Sequence, residues 1–277
     1  MAGENRLSRE STVPGAIDIH THILPGVDDG AKSRDEALAM AKAAQERGTV
    51  LVVATPHADF AGRRWQGVAS TIRSSVAALN AVFESSGLSV RVLPGMEIAV
   101  HPRVLELLNR GEALTIGDAG KYVLVELPFQ QIPTYAEKAV FDLSSAGYVP
   151  VIAHPERCVE VATDPNRMYQ LVRAGAMGQV NAGSLAGAFG KSVRQVAETL
   201  LRHGLAHVIA SDGHSPEDRP CRLDLAFAAA SRLVGREAAL RAVRDVPHAI
   251  VHAETVQIED PEEYVRRKWF LFGETGA

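Results

Sequence analysis

His20 and His22 stand one residue apart at the end of an apolar run, and Asp28-Asp29-Gly30 closes the same stretch, AIDIHTHILPGVDDG (16–30). Side chains two apart on a strand point to one side, so imidazoles at this spacing reach a common point, where neutral ring nitrogens are good metal ligands. Asp212 and His214, in SDGH, repeat the spacing. Further donors fall singly after apolar runs: His57 in TPH, Glu97 in GMEI, Glu126 in VLVEL and His154 in AHPER. A carboxylate buried there without a partner is costly, and a cation removes that cost. An ion pair with a neighbouring Arg or Lys is the alternative for Glu97 and Glu126. Oxygen and nitrogen donors without sulfur suit Mn2+, Fe, Zn2+ or Mg2+. One ion takes roughly four to six ligands, so this many donors imply two or three cations.

Arg157 and Arg219 follow His154 and His214 on the loops that leave two of these runs. A guanidinium fork matches phosphate oxygens bidentately; a surface ion pair is the alternative for each. Asp28 and Asp29 precede Gly30 before an expected helix, where aspartate serves the turn itself. They could also hold a ligand imidazole in one tautomer or supply a proton. Asn181 and Ser184 in NAGS read as a turn. His203, His207, His248 and His252, without paired acids, read as structural, as does His101 ahead of Pro102, with a minor role left open by its nearness to Glu97.

The elements that must position these groups alternate. Short β-branched runs predict strands at 16–20, 50–55, 90–98, 122–127, 149–154, 178–181 and 207–211, with 248–253 as one more. Helical spacing predicts helices at 33–47, 66–86, 134–146, 165–174, 187–204 and 221–234. Ser33 with the acidic first turn Asp35-Glu36 signals a start, and Gly48 a stop. Continuously apolar strands are buried on both faces, which implies a parallel sheet covered by helices, an α/β barrel. In such folds the C-terminal strand ends share the face on which sites are built, and the donors all fall there. One domain over 16–277 is expected, with residues 1–15 a loose, flexible tail.

The chain has 277 residues, 46% hydrophobic and 22% charged, with a formal net charge of -4. That balance supplies no broad cationic surface for nucleic acid or anionic lipid, although local pairs such as Arg63-Arg64 exist. Two cysteines, Cys158 and Cys221, form no CxxC pair, which fits a reducing cytoplasm and excludes a thiolate metal site. No apolar run approaches the ~20 residues needed to span a bilayer, and no secretory h-region is present. A cysteine-based phosphatase needs Cys-x5-Arg, whereas six residues after these cysteines come Asp164 and Phe227.

On DIHTH, TPH, GMEI, AHPER and SDGH the chain resembles the polymerase and histidinol phosphatase (PHP) superfamily of metal-dependent phosphoesterases. More narrowly, DIHTHILPGVDDG, NAGSLAGAFG and HVIASDGH with the following RP resemble the bacterial manganese-dependent protein-tyrosine phosphatases of capsule and exopolysaccharide loci. The resemblance implies a distorted (β/α)7 PHP-type barrel and a centre of two or three divalent ions, usually Mn2+. It implies hydrolysis of phosphotyrosine on a bacterial tyrosine kinase that controls polysaccharide export. It carries metal-ligand roles onto His20, His22, His57, Glu97, Glu126, His154, Asp212 and His214, and phosphate-binding roles onto Arg157 and Arg219. The helix beginning SRDEALAMAKAAQERG resembles a region used for ring assembly in relatives, which implies a homo-oligomer; capping alone also accounts for its acidic start. The loop HADFAGRRWQG after His57 matches no family signature.

The expected chemistry is in-line attack on phosphorus by water that the cations acidify, with metals and arginines neutralising the nonbridging oxygens. Two readings compete: a PHP phosphatase for a small phosphomonoester such as histidinol phosphate, and a noncatalytic regulator that binds phosphoproteins. An exonuclease or proofreading module fits the acidic balance poorly.

Overall fold

The computed structural model describes residues 12–58 and 66–265. Nine strands form two parallel sheets among these residues. The first holds β1 (Ala16–Thr21), β2 (Thr49–Ala54) and β4 (Arg91–Pro94) in the order β1-β2-β4. The second runs in chain order through β3 (His57–Ala58), β5 (Glu97–Ala99), β6 (Tyr122–Glu126), β7 (Val149–Ala153), β8 (Met177–Asn181) and β9 (Val208–Ala210). The sheets meet at β1. A parallel bridge joins Thr21 to Gly213, and His22 donates its backbone N–H to the Gly213 carbonyl at 2.8 Å.

Helices cover the outer faces. The first, α1 (Arg34–Glu46), starts as expected: the Ser33 hydroxyl accepts from the Glu36 N–H, and Glu36 accepts from the Lys32 N–H at 2.8 Å. It buries Ala37, Met40, Ala41 and Ala44, a stripe at helical spacing, against the sheet. Then come α2 (Val68–Ser85), α3 (Val104–Asn109), α4 (Ala136–Ser145), α5 (Val159–Thr163), α6 (Asn166–Arg173), α7 (Ala182–Ala186), α8 (Lys191–Arg202), α9 (Asp224–Val234), α10 (Arg236–Leu240) and, after a π-helical turn at Arg241–Asp245, α11 (Val246–Val251). No helix among the described residues is long and apolar enough to cross a membrane.

Two apolar cores result. The larger lies between strands and helices. The smaller joins inward side chains of the strands, Ile17, Ile19, Val53, Leu124, Val151, Met177 and Val208, with Val246, Ile250 and Val251 of α11. This corrects the strand expected at 248–253. The run is β-branched, but Val246, Ile250 and Val251 sit at helical spacing, Pro247 suits the first turn, and the apolar face closes the N-terminal end of the inner core.

Two other expectations are corrected. The strand expected at 90–98 breaks at Gly95-Met96, where β4 pairs with β2 and β5 moves to the second sheet beside β3. Val13, expected in a loose tail, is buried and donates its N–H to the Arg47 carbonyl at 2.9 Å; residues 1–11 lie outside the described residues. Most of the loop after His57, with Arg63 and Arg64, also lies outside them.

His207 supports the structural reading given to it. It precedes β9, accepts the Gly178 N–H on Nδ1 at 3.1 Å, and is pushed by burial down to about 4. The unfolded chain takes that proton near 6.5, so between pH 6.5 and 4 it binds more protons than the native state, and stability falls as the solution is acidified. The full contribution is about 3 kcal/mol. His207→Asn keeps an acceptor near the Nδ1 position without a titrating group. Urea unfolding at pH 7 and pH 4.5 is expected to show a smaller acid loss in the variant. Equal losses in both proteins would refute this, because all other titrations are common to the pair.

Candidate metal centre

The donor residues meet at one rim of the sheets, but His57 and Glu97 are the first residues of β3 and β5, which corrects the expectation that Glu97 closes its strand. His20 and His22 come from the end of β1, His57 from β3, Glu97 from β5, Glu126 from β6, His154 from the turn after β7, and Asp212 and His214 from the turn after β9. The register between β1 and β2 runs Asp18 to Val52 and Thr21 to Ala54, three steps against two. That extra residue is a β-bulge, and it changes the side-chain phase. Ile17 and Ile19 face the inner core, yet His20 also turns inward, to lie 3.3 Å from Glu97 and 3.4 Å from Asp212.

His154 (φ 32°) and Asp212 (φ 53°) adopt left-handed backbone, uncommon outside glycine. Asp212 and His214 therefore do not repeat regular strand spacing as expected. The chain turns between them, which lets Gly213 pass against β1 and against Cys221, whose sulfur would lie 2.4 Å from a Cβ added there. Such strain costs of order 1–3 kcal/mol per residue and concentrates at functional sites.

Glu97 is the hub. Its Oε2 lies 3.3 Å from His20 Nε2, 3.3 Å from His22 Nε2 and 3.0 Å from His57 Nδ1, while Oε1 lies 2.9 Å from His154 Nε2. Oε2 is buried and makes no hydrogen bond, and the Nε2 atoms of His20 and His22 face each other at 3.3 Å. A cation fits these separations, since bonds of about 2.1 Å place neighbouring ligands about 3.0–3.4 Å apart in octahedral or tetrahedral geometry. Four overlapping groups could hold an ion: His20 with His22 and Glu97; His20 with His154 and Asp212; His57 with Glu97 and Glu126; and His22, Asp29, His57 and His214. Within each, one donor atom per residue lies within 4.8 Å of the others.

Crowding shapes the protonation of the metal-free site. Burial disfavours charge on His20, but Glu97 and Asp212 outweigh it and raise the imidazole to about 9. Burial likewise opposes ionisation of Glu97 and Asp212, and the surrounding histidines hold both well below the usual carboxylate range. Burial, with Glu97 beside it, pushes Glu126 up. The alternative of an Arg or Lys partner for Glu126 is not seen among the described residues; its ion-pair neighbours are imidazoles, His57 and His154, each 3.8 Å away.

The two aspartates divide their work. Asp28 Oδ2 accepts from His22 Nδ1 at 2.7 Å and from the His57 N–H at 3.0 Å, and Oδ1 accepts from the Gly30 N–H at 3.0 Å. It both builds the turn and orients a donor imidazole, with its oxygens occupied. Asp29 is exposed and lies 3.5 Å from both His57 Nε2 and His214 Nε2.

Arg157 Nη1 lies 3.3 Å from Asp212 Oδ2, and Arg219 Nη2 donates to the same oxygen. Arg157 is stacked between Phe129 and Phe189, with the guanidinium carbon 4.7 and 4.9 Å from their ring centres. Sequence reasoning did not find those rings, and no spacing signals them. Nor did it find Gln179, Oε1 of which lies 2.8 Å from His20 Nδ1, or buried Glu156, which accepts from the Asn181 N–H and the Ser184 hydroxyl. Asn181 does end β8 before a helix, but its side chain donates to Asp212 at 2.6 Å instead of serving the turn. The two-residue spacing of Gln179 and Asn181 was the available signal. Among the described residues His101, His203, His207, His248 and His252 join none of the four donor groups.

A family profile described as capsular polysaccharide synthesis, CpsB/CapC, matches residues 16–252, most of the chain. The chain belongs to the CpsB/CapC family. This family member is 35% identical to the tyrosine-protein phosphatase YwqE of Bacillus subtilis over 256 residues, 92% of this chain and 99% of that protein. It is 32% identical to the putative tyrosine-protein phosphatase CapC of Staphylococcus aureus over 255 residues, 92% of this chain and 98% of that one. Its fold matches a solved structure from work on YwqE of Bacillus subtilis and CpsB of Streptococcus pneumoniae, described as metal-dependent tyrosine phosphatases. The TM-score is 0.86 at 34% identity, covering 90% of this chain and all of that one. The capsule-locus resemblance read from DIHTHILPGVDDG, NAGSLAGAFG and HVIASDGH with the following RP thus agrees with the CpsB/CapC assignment.

Proposed function

We propose that this chain is a metal-dependent protein-tyrosine phosphatase acting on a phosphotyrosyl protein, a bacterial tyrosine kinase of capsule or exopolysaccharide production, in the cytoplasm. The observation that carries the reading is Glu97 Oε2, buried without a hydrogen bond among three imidazoles, in a chain aligned along almost all of its length with named tyrosine phosphatases. Two or three divalent ions, Mn2+ foremost, fit the all-oxygen and nitrogen donor set of His20, His22, His57, Glu97, Glu126, His154, Asp212 and His214. Asp29 joins His22, His57 and His214 as a further donor. Seven strand positions, with β2 and β3, then β4 and β5, each taken as one interrupted strand, describe the two sheets as a distorted (β/α)7 barrel.

When bound, the cations supply Lewis-acid stabilisation of phosphoryl charge and an acidified water. The protein does the rest. Arg157 and Arg219 converge beside Asp212 at the mouth of the site, where two guanidiniums can grip nonbridging phosphate oxygens as charge develops. Phe129 and Phe189 hold Arg157 in place. Asp28 accepts the Nδ1 proton of His22 and so keeps Nε2 turned to Glu97. With both oxygens engaged it orients and does not donate a proton. A phenol leaving group, with a pKa of about 10, departs without strong general-acid assistance.

Cys158 and Cys221 are buried, and burial pushes the Cys221 thiol far up. Chelation with EDTA is therefore expected to abolish turnover of a phosphotyrosyl peptide, with recovery on adding Mn2+, while iodoacetamide leaves it unchanged. Loss on alkylation with retention in EDTA would overturn the metal reading. A kcat/KM for histidinol phosphate far above that for the peptide would overturn the tyrosine assignment.

A further inference from the structure

A buried chain of side-chain amides runs beneath the donor cluster and has a direction. His20 Nδ1 lies 2.8 Å from Gln179 Oε1, Gln179 Nε2 donates to Asn181 Oδ1 at 2.9 Å, and Asn181 Nδ2 donates to Asp212 Oδ2 at 2.6 Å. All four residues are buried. The ionised carboxylate of Asp212 can only accept, so Asn181 presents its NH2 there and its oxygen to Gln179. Gln179 must then present its NH2 to Asn181 and its oxygen to His20. Reversing either amide sets two carbonyl oxygens or two NH2 groups against each other in a dry interior. His20 therefore carries a proton on Nδ1 in either charge state, with Nε2 facing Glu97 Oε2 at 3.3 Å and Asp212 Oδ1 at 3.4 Å.

We propose that Gln179 and Asn181 are positioning residues that fix the tautomer of His20 from the carboxylate of Asp212, so that two cation ligands separated by 192 positions in sequence are set by one hydrogen-bonded chain. The pair occupies one face of β8, two residues apart, and no other hydrogen-bonding group on that face is needed to close the chain. This rests on the metal-centre reading and is independent of which phosphorylated molecule is hydrolysed.

Metal-stripped full-length protein and the variants Gln179→Leu and Asn181→Leu are to be titrated with Mn2+ by calorimetry, with thermal unfolding of the metal-free forms alongside. Each variant is expected to bind the tightest Mn2+ about 10–100-fold more weakly. Metal-free stability should also fall, because leucine leaves the buried partners of the lost amide unpaired, so the deciding readout is the loss of Mn2+ affinity in the folded variants. Gln179→Glu, which keeps the acceptor for His20 and removes the donor to Asn181, should recover part of the affinity lost in Gln179→Leu. A purely structural role predicts lower metal-free stability with unchanged Mn2+ affinity, and that pattern overturns the proposal while leaving the metal centre standing. Absence of Mn2+ binding in the unmodified protein overturns both. Should the variants fail to fold, long-range 1H–15N spectra of the Zn2+-loaded unmodified protein decide the matter: an Nδ1–H tautomer at His20 supports the chain, and an Nε2–H tautomer refutes it.

Discussion

Glu97→Gln is expected to lower kcat/KM for a phosphotyrosyl peptide by about 10³-fold or more, taking several kcal/mol of cation stabilisation at 1.36 kcal/mol per decade. Glu97 belongs to two of the four donor groups, one with His20 and His22 and one with His57 and Glu126, and its other oxygen reaches His154. Glutamine keeps the volume, removes the charge and turns an NH2 toward nitrogens that would otherwise face a cation. Elemental analysis of the purified variant should therefore show fewer metal ions per chain. A variant with full metal content and activity within tenfold of the unmodified protein would remove Glu97 from the centre.

Gly30→Ala should be nearly as damaging, although Gly30 donates no side chain. An added Cβ would lie 2.0 Å from the His22 carbonyl oxygen and 2.5 Å from the His22 Cβ, contacts that only movement of the turn or of β1 can relieve. The turn is not free to move, because Ala31 donates to the same carbonyl at 3.0 Å and Asp28 is tied to His22, His57 and Gly30. His22 and Asp28 must shift together. A misplacement of about 1 Å in a catalytic group can cost about 10²-fold. Peptide turnover should fall by that order, with a lower melting temperature in the metal-loaded protein. Unchanged values for both would show that the turn yields without disturbing His22.

Much of the centre is legible in sequence because strand ends announce themselves. An apolar run stopping at a histidine or carboxylate places a polar group at the rim of a sheet, and parallel topology brings those rims together. Glu126, at the end of β6, and His57, which follows β2, were readable in this way, whereas Glu97 was expected to close a strand and instead opens β5 after the break at Gly95-Met96. The pairing of His20 with His22 was readable too, but not the bulge between Asp18 and Thr21, which depends on backbone pairing with β2 and leaves no mark in composition. Asp212 and His214 reach the cluster by a left-handed turn that period-two reasoning does not anticipate. The run 248–253 shows the opposite failure: its β-branched residues suggest a strand, and only packing of Val246, Ile250 and Val251 under the inner core makes it a helix. Gln179 was hidden because an uncharged amide on an apolar strand looks like any polar interruption, and its meaning lies in a partner 159 positions away.

The helix that seals the far end of the inner core, α11, has a consequence for traffic. Among the described residues, Val246, Ile250 and Val251 pack with Ile17, Tyr122 and Val208 in the inner core. On the proposed reading, a phosphorylated side chain comes in head first from the rim, and the freed anion departs by the doorway through which it arrived, past Arg157 and Arg219. The two guanidiniums proposed to grip the incoming group would then also be the last contacts on its way out.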